Sequence, residues 1–429
     1  MKKRIFYLTG FLCLFLTSSV FAEKQGTTVN ATDTVFILIS AALVLLMTPA
    51  LALFYGGLVR KKNVLSTMMH SIIAMGILTL EWVIFGYSLS FGPDIGGIIG
   101  GLKYAFLNNV GYAPSSVAPT IPHAVFMIYQ CMFAIITPAL ISGAIAERMK
   151  FSAYLLFIFF WSLFVYYPAA HWIWGGGWLS KLGVMDFAGG LVVHATCGVS
   201  ALVAAIMVTK RKKFMREALL PHHLPIVITG AGLLWFGWFG FNAGSALAVN
   251  SVAVNAFLTT HISAATALFV WILIEWKLNG KPTTLGAATG AVAGLATITP
   301  AAGFVSPMSA ILIGFAAAVI CYFAIGLKEK YKYDDSLDVF GVHGIGGILG
   351  TLSAGLLAQK YINGVDGLFY GNAKAFIIQA IGTAAIVVYS IVITFIILKI
   401  IGAVVGLKVS EEEEYTGLDL SQHGESAYN

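Results

Sequence analysis

Residues 186–194 read DFAGGLVVH, and residues 335–343 read DSLDVFGVH. In each stretch an aspartate precedes a histidine by eight residues, at the start of an apolar, glycine-rich segment. Asp186 and His194 lie in one half of the chain, Asp335 and His343 in the other. An ionisable residue inside a membrane span is costly, so it marks a functional site by default. Two matched pairs in two halves point to an inverted repeat with a site shared at the repeat interface. That arrangement predicts a transporter or channel.

The rest of the chain agrees with a membrane setting. Of 429 residues, 59% are hydrophobic and 10% charged, against about 25% charged in soluble domains. Apolar runs long enough to span fall roughly at 34–55, 64–91, 123–146, 151–170, 187–209, 224–249, 251–276, 284–303, 307–327, 338–358 and 375–403. The predicted fold is an all-α polytopic membrane protein with eleven transmembrane helices. Two inverted five-helix repeats, at about 34–209 and 224–358, would be followed by an extra helix at about 375–403.

Basic residues alternate between loops. Arg60 to Lys62, Arg148 with Lys150, Lys210 to Lys213 with Arg216, Lys277 with Lys281, and Lys328, Lys330 and Lys332 occupy every second loop. The intervening loops hold scattered Lys24, Lys103, Lys181, Lys360 and Lys374. The excess of positive charge assigns the first set to the cytoplasm. It leaves the mature N-terminus outside and the C-terminus inside a plasma (inner) membrane. The formal net charge of +6 is then topological, and no nucleic-acid partner is expected.

Lys2, Lys3 and Arg4 precede an apolar run to about Leu16, and Val20-Phe21-Ala22 offers cleavage chemistry before Glu23. Residues 1–22 are expected to be a signal peptide; an uncleaved first helix is the alternative. The transport domain is then 23–405, and 406–429 is a polar tail whose composition predicts disorder. Cys13, Cys131, Cys197 and Cys321 have neither disulfide nor metal spacing, so no metal and no cofactor is expected.

His194 and His343 fall about two helical turns into their spans. A lone intramembrane histidine is commonly a helix–helix hydrogen bond; a repeat-related pair points to the pore. Each neutral imidazole offers one donor and one acceptor, so a pair can pass a hydrogen bond or a proton. Asp186 and Asp335 each have a structural reading as helix N-caps, which is compatible with favouring a nearby cation. Asp338 shares that reading. Glu81 and Glu275, each before a tryptophan near a span end, read as capping or pairing groups. Aromatic residues crowd AHWIWGGGW (170–178), Phe126, Tyr129 and Phe133, and Trp235, Phe236, Trp238, Phe239 and Phe241. Most such rings form interfacial belts, but a few with an oxygen acceptor could cage a small cation.

DFAGGLVVH, AHWIWGGG, GWFGFNAGS, DVFGVHGIGG, GAIAERMKFSA and the tail GLDLSQHGESAYN resemble the bacterial ammonium transporter (Amt) family from about residue 34 onward. The resemblance implies a homotrimer with one hydrophobic pore per subunit. Phe133, Trp174 and Ser245, with Asp186 nearby, look like its external ammonium-recruitment site. Phe133 and Phe241 look like the rings that close the outer pore, and His194 and His343 like the twin pore histidines. The implied mechanism deprotonates ammonium and passes ammonia, with the proton following by the histidines. A cytoplasmic PII-type regulator is also implied, docking on the tail and basic loops that include Lys210 to Lys213.

Three alternatives compete. A Rhesus-type gas channel would pass neutral ammonia, but that family lacks a counterpart of Trp174. A sensor would report through a fused signalling domain, and few residues follow Lys408. An enzyme is excluded as the main reading because no Gly-x-Ser-x-Gly elbow or His-Glu-x-x-His motif is present.

Overall fold

The computed structural model describes residues 28–428. The expected signal peptide lies outside the described residues. Among the described residues, ten helices are long and apolar enough to cross a membrane. They are α1 Ala31–Leu58, α2 Lys61–Phe91, α3 His123–Ile145, α4 Phe151–Leu182, α5 Gly190–Met207, α6 Leu224–Ala246, α7 Ser251–Asn279, α9 Pro307–Tyr331, α10 Phe340–Leu357 and α11 Ala373–Val404. Between α7 and α9 lies a shorter apolar helix, α8 Thr284–Ile298. At 15 residues and about 1.5 Å per residue, it reaches about 22 Å, short of a bilayer core of about 30 Å. The run expected to span at 284–303 is therefore a helix plus a turn, since Ala301 and Phe304 nitrogens bond back to Ile298 and Ala301 carbonyls.

Side-chain caps start many of these helices. Asn30, Asn250 and Asn372 accept from backbone N–H groups three residues on, satisfying donors that a helix start leaves open. Pro49 and Pro138 sit inside α1 and α3, which membrane helices tolerate where neighbouring groups can re-satisfy the freed carbonyls.

α1 and α6 pack along much of their length. The helices that carry the two histidines run in opposite directions. α5 starts beside Asp186, and just beyond its far end Arg211 meets Asp334; α10 begins next to Asp334 and runs back. The two cross where neither has a side chain. A Cβ on Gly198 would lie 2.1 Å from the Gly344 nitrogen, and one on Gly347 2.8 Å from the His194 Cβ. Glycine is required at this crossing, and the crossing brings the histidines together. Both histidines also sit in π-helical turns, Gly190–Ala195 and Phe340–Gly344. Such turns re-aim side chains and recur at functional sites.

Basic loops gather at one end of the bundle around a buried cluster. Glu147 accepts from Arg60 Nε at 2.9 Å and from Arg211 Nη1 at 2.8 Å, and Arg211 Nη2 meets Asp334 at 2.7 Å. Burial alone would raise the Glu147 carboxyl, but Arg211 and Arg60 outweigh it and hold it at about 2. Arg148 fans out to the Ala144 and Thr209 carbonyls and the Ser336 hydroxyl.

The tail is ordered, contrary to its composition. It forms α12 Glu411–Thr416 and α13 Leu418–His423, and several of its acidic groups find partners in the folded chain. Ser410 and Glu413 close a capping box, while Glu414 accepts from the Lys212 nitrogen and pairs with Lys408. Asn63 accepts from the Leu418 nitrogen, and Asp419 accepts from the Ser66 nitrogen, capping α2. Composition cannot register partners that come from loops 350 residues away.

Glu81 departs from its expected place. It lies buried in the middle of α2, just before a π-helical turn, not near the span end. Glu275 does cap a turn, accepting from the Thr283 nitrogen and hydroxyl at 2.9 Å each.

Candidate functional site

At the end opposite the tail, α3, α4 and α6 open a chamber of about 250 Å³, whose lining includes Phe126, Gln130, Phe133, Trp174, Phe187 and Ser245. A wider space of about 440 Å³, bordered by Asp186 and Asn250, adjoins it. Phe133 and Trp174 meet edge to face with centroids 5.9 Å apart. Both rings line the chamber together with the Ser245 hydroxyl, a combination suited to a small cation with N–H donors.

Each part is held by specific bonds. The Trp174 indole donates to the Asp186 carbonyl at 2.8 Å, which fixes the ring plane. Ser245 donates to the Phe241 carbonyl at 2.8 Å, so its lone pairs stay available. The Tyr129 hydroxyl lies 3.0 Å from the Gly240 and Phe241 carbonyls and 3.2 Å from Ser245 Oγ. Tyr129 thus ties α3 to α6 at the level of the serine.

Asp186 takes the N-cap place expected of it at a helix start. Its two oxygens accept from the nitrogens of Gly189, Gly190, Leu191 and Val192 at 2.6–3.0 Å. The carboxylate is committed to its own helix start, and the residue's carbonyl reaches the site through Trp174. Asp335 does the same with two donors, Val339 and Phe340.

Phe133 and Phe241 form the chamber floor, with centroids 4.3 Å apart and planes tilted by 39°. Beneath them is a cavity of about 20 Å³ bordered by Tyr55, Ile136, Leu140, His194, Trp238 and His343, among others. One water-sized probe needs about 10–15 Å³, so the space holds about one small molecule. His194 stacks between Trp238 and His343, with centroids 5.6 Å and 5.1 Å away. The two Nδ1 atoms are 3.2 Å apart, and His194 Nε2 has no hydrogen-bond partner among the described residues.

All seven candidate site residues converge on this axis. Tyr129 and Trp238 belong to the aromatic crowd seen in the sequence, but their roles were not legible there. Phe236 is exposed, and Phe239 stacks on Phe257 away from the axis. Gln130 was missed altogether; its only signal is a lone amide in an apolar helix. Among the described residues no cluster suits a metal ion. At the other end, Arg211 is buried in ion pairs, so of the Lys210 to Lys213 run it cannot serve as part of a docking face.

The sequence model described as the Ammonium Transporter Family matches residues 35–428. An ammonium transporter of Bacillus subtilis is 52% identical over 399 residues, covering 92% of this chain and 98% of the relative. The ammonium transporter Amt1 of Archaeoglobus fulgidus is 50% identical over 393 residues, with the same coverage of 92% and 98%. The crystal structure of Candida albicans Mep2 superposes with a TM-score of 0.85 at 36% identity, covering 93% of this chain and 91% of that one.

Proposed function

The chain belongs to the ammonium transporter family, and from that premise we propose that it takes up ammonium by separating the proton from the ammonia. The cation binds in the outer chamber. Phe133 and Trp174 offer π faces, worth about 2 kcal/mol when desolvated, and Ser245 offers a directional acceptor. Potassium has no N–H to donate, so it gains nothing from that direction.

The single observation that carries this reading is the ring pair Phe133–Phe241 closing onto a cavity with room for about one small molecule, bordered by paired imidazoles. A bare cation would lose several kcal/mol of hydration there. Ammonia would lose far less and could hydrogen-bond to the rings in passing. Deprotonation at the floor of the chamber, with the proton following by the histidines, makes the net event electrogenic.

The positive-inside rule supports a plasma-membrane orientation with the tail in the cytoplasm. Family resemblance supports a homotrimer and a PII-type regulator. Its docking face would be the outer side of the tail, where Tyr415 is 82% exposed, together with Lys212 and Lys213. Membership of a transporter family points away from enzymatic turnover.

The test is charge movement in proteoliposomes after an ammonium pulse, with potassium as control. A saturable inward current that potassium does not elicit is expected. Fast internal alkalinisation without current would replace this reading with a neutral ammonia channel.

A further inference from the structure

Among the described residues lining the outer chamber, Gln130 and Ser245 are the only ones with an amide or hydroxyl side chain. Gln130 lies one turn before Phe133 on α3, so both project to the same side of the helix. It is 9% exposed, and its Oε1 has no hydrogen-bond partner. A buried, unpaired amide oxygen is destabilising and calls for an explanation. The nearby polar groups of Tyr129 and Trp174 do not supply one. Tyr129 is bound to α6, and the Trp174 indole to Asp186.

The chemistry of the substrate class supplies it. An ammonium ion is tetrahedral and carries four N–H donors. The Ser245 oxygen takes one, and the faces of Phe133 and Trp174 take two. One donor is left over. We propose that Gln130 is a further substrate-contacting residue, its carboxamide oxygen accepting the N–H that the serine and the rings leave unmatched. The terminal amide swings about its last bond, so it can present the oxygen to the chamber when a cation arrives and the NH₂ when it is empty. The role deepens the proposed function and rests on it. It also predicts selectivity: in methylammonium the methyl replaces one N–H, and three donors find partners without Gln130.

The experiment measures half-saturation and maximal current in proteoliposomes for Gln130→Leu, Gln130→Met and Gln130→Glu, with ammonium and with methylammonium. Leu and Met should raise the ammonium half-saturation about fivefold, with maximal current within about twofold and a smaller shift for methylammonium. Glu restores an oxygen acceptor and should return ammonium half-saturation to the original value or below. Unchanged half-saturation in Leu and Met overturns the proposal. So does an equal shift for both substrates, or a Glu variant as weak as Leu. Ser245→Ala, run in parallel, separates the two levels. If it raises half-saturation while the Gln130 variants do not, only Gln130 loses its role; if it too has no effect, the chamber itself is not the recruitment site.

Discussion

His194 and His343 are 149 positions apart in the chain, and their Nδ1 atoms are 3.2 Å apart. Two ring nitrogens facing each other can bond only if one carries a proton and the other a lone pair. With both rings neutral the pair holds opposite tautomers, and passing the shared proton exchanges them only when the donor ring gains a proton at its Nε2 and the acceptor ring releases its own. Two helices running in opposite directions and crossing at glycines make that contact.

Replacing either histidine by alanine should abolish ammonium-driven current or its selectivity over potassium. Proteoliposome recordings check this. Ammonium-selective current at the original amplitude in both variants would remove the proton-relay role.

Tyr129→Phe keeps the ring against Phe133 and removes the hydroxyl that holds Ser245 and the Gly240 and Phe241 carbonyls. A lost hydrogen bond of this kind costs about 1 kcal/mol. Ammonium half-saturation should rise about fivefold with a smaller change in maximal current, read from concentration–current curves.

Asp186→Asn leaves one acceptor oxygen where four backbone N–H groups need two. Each orphaned donor costs about 1–3 kcal/mol, so thermal unfolding in detergent should fall by several degrees. A variant as stable as the parent but inactive would instead point to a direct role for the charge.

Gly198→Ala drives a methyl into the backbone of Gly344, whereas a methyl on Gly344 meets the Phe340 ring at 2.7 Å. A ring can turn aside and a backbone cannot. Gly198→Ala should therefore lower the unfolding temperature more than Gly344→Ala, with overpacking costs of about 1–3 kcal/mol or more. Equal, small shifts would mean that the helix crossing yields readily.

Glu147 titrates at about 2 in the folded chain, below the ordinary carboxylate value of 4.5. A depressed carboxylate stabilises the fold above its unfolded value, and that contribution is lost as pH falls through the folded value. The loop and tail cluster should thus hold at neutral pH and weaken between about pH 4.5 and 2. Glu147→Gln should remove that component of acid sensitivity and cost about 3 kcal/mol at pH 7, measured by chemical unfolding across pH.

Much of the site could be read from the residues because its signals are local. The Asp–His spacing recurs within nine-residue stretches, and Phe133, Trp174, Ser245 and Phe241 are picked out by motifs that resemble the family's. The parts that could not be read depend on distant partners. Arg211 belongs to a basic run by sequence, yet Glu147 and Asp334, 64 and 123 positions away, bury it. The tail looks disordered until Asn63 and Ser66 are brought beside it. The N-cap role of Asp186 was legible from its place at a helix start, but the bond from the Trp174 indole to its carbonyl was not.

The cavity below Phe133 and Phe241 has a kinetic consequence. Molecules in a passage with room for about one at a time cannot overtake, so the two directions of travel interfere. A labelled molecule moving against the stream is held back more than independent diffusion predicts. The ratio of forward to backward tracer movement should then follow the gradient alone, while each one-way rate falls as the opposite side is loaded.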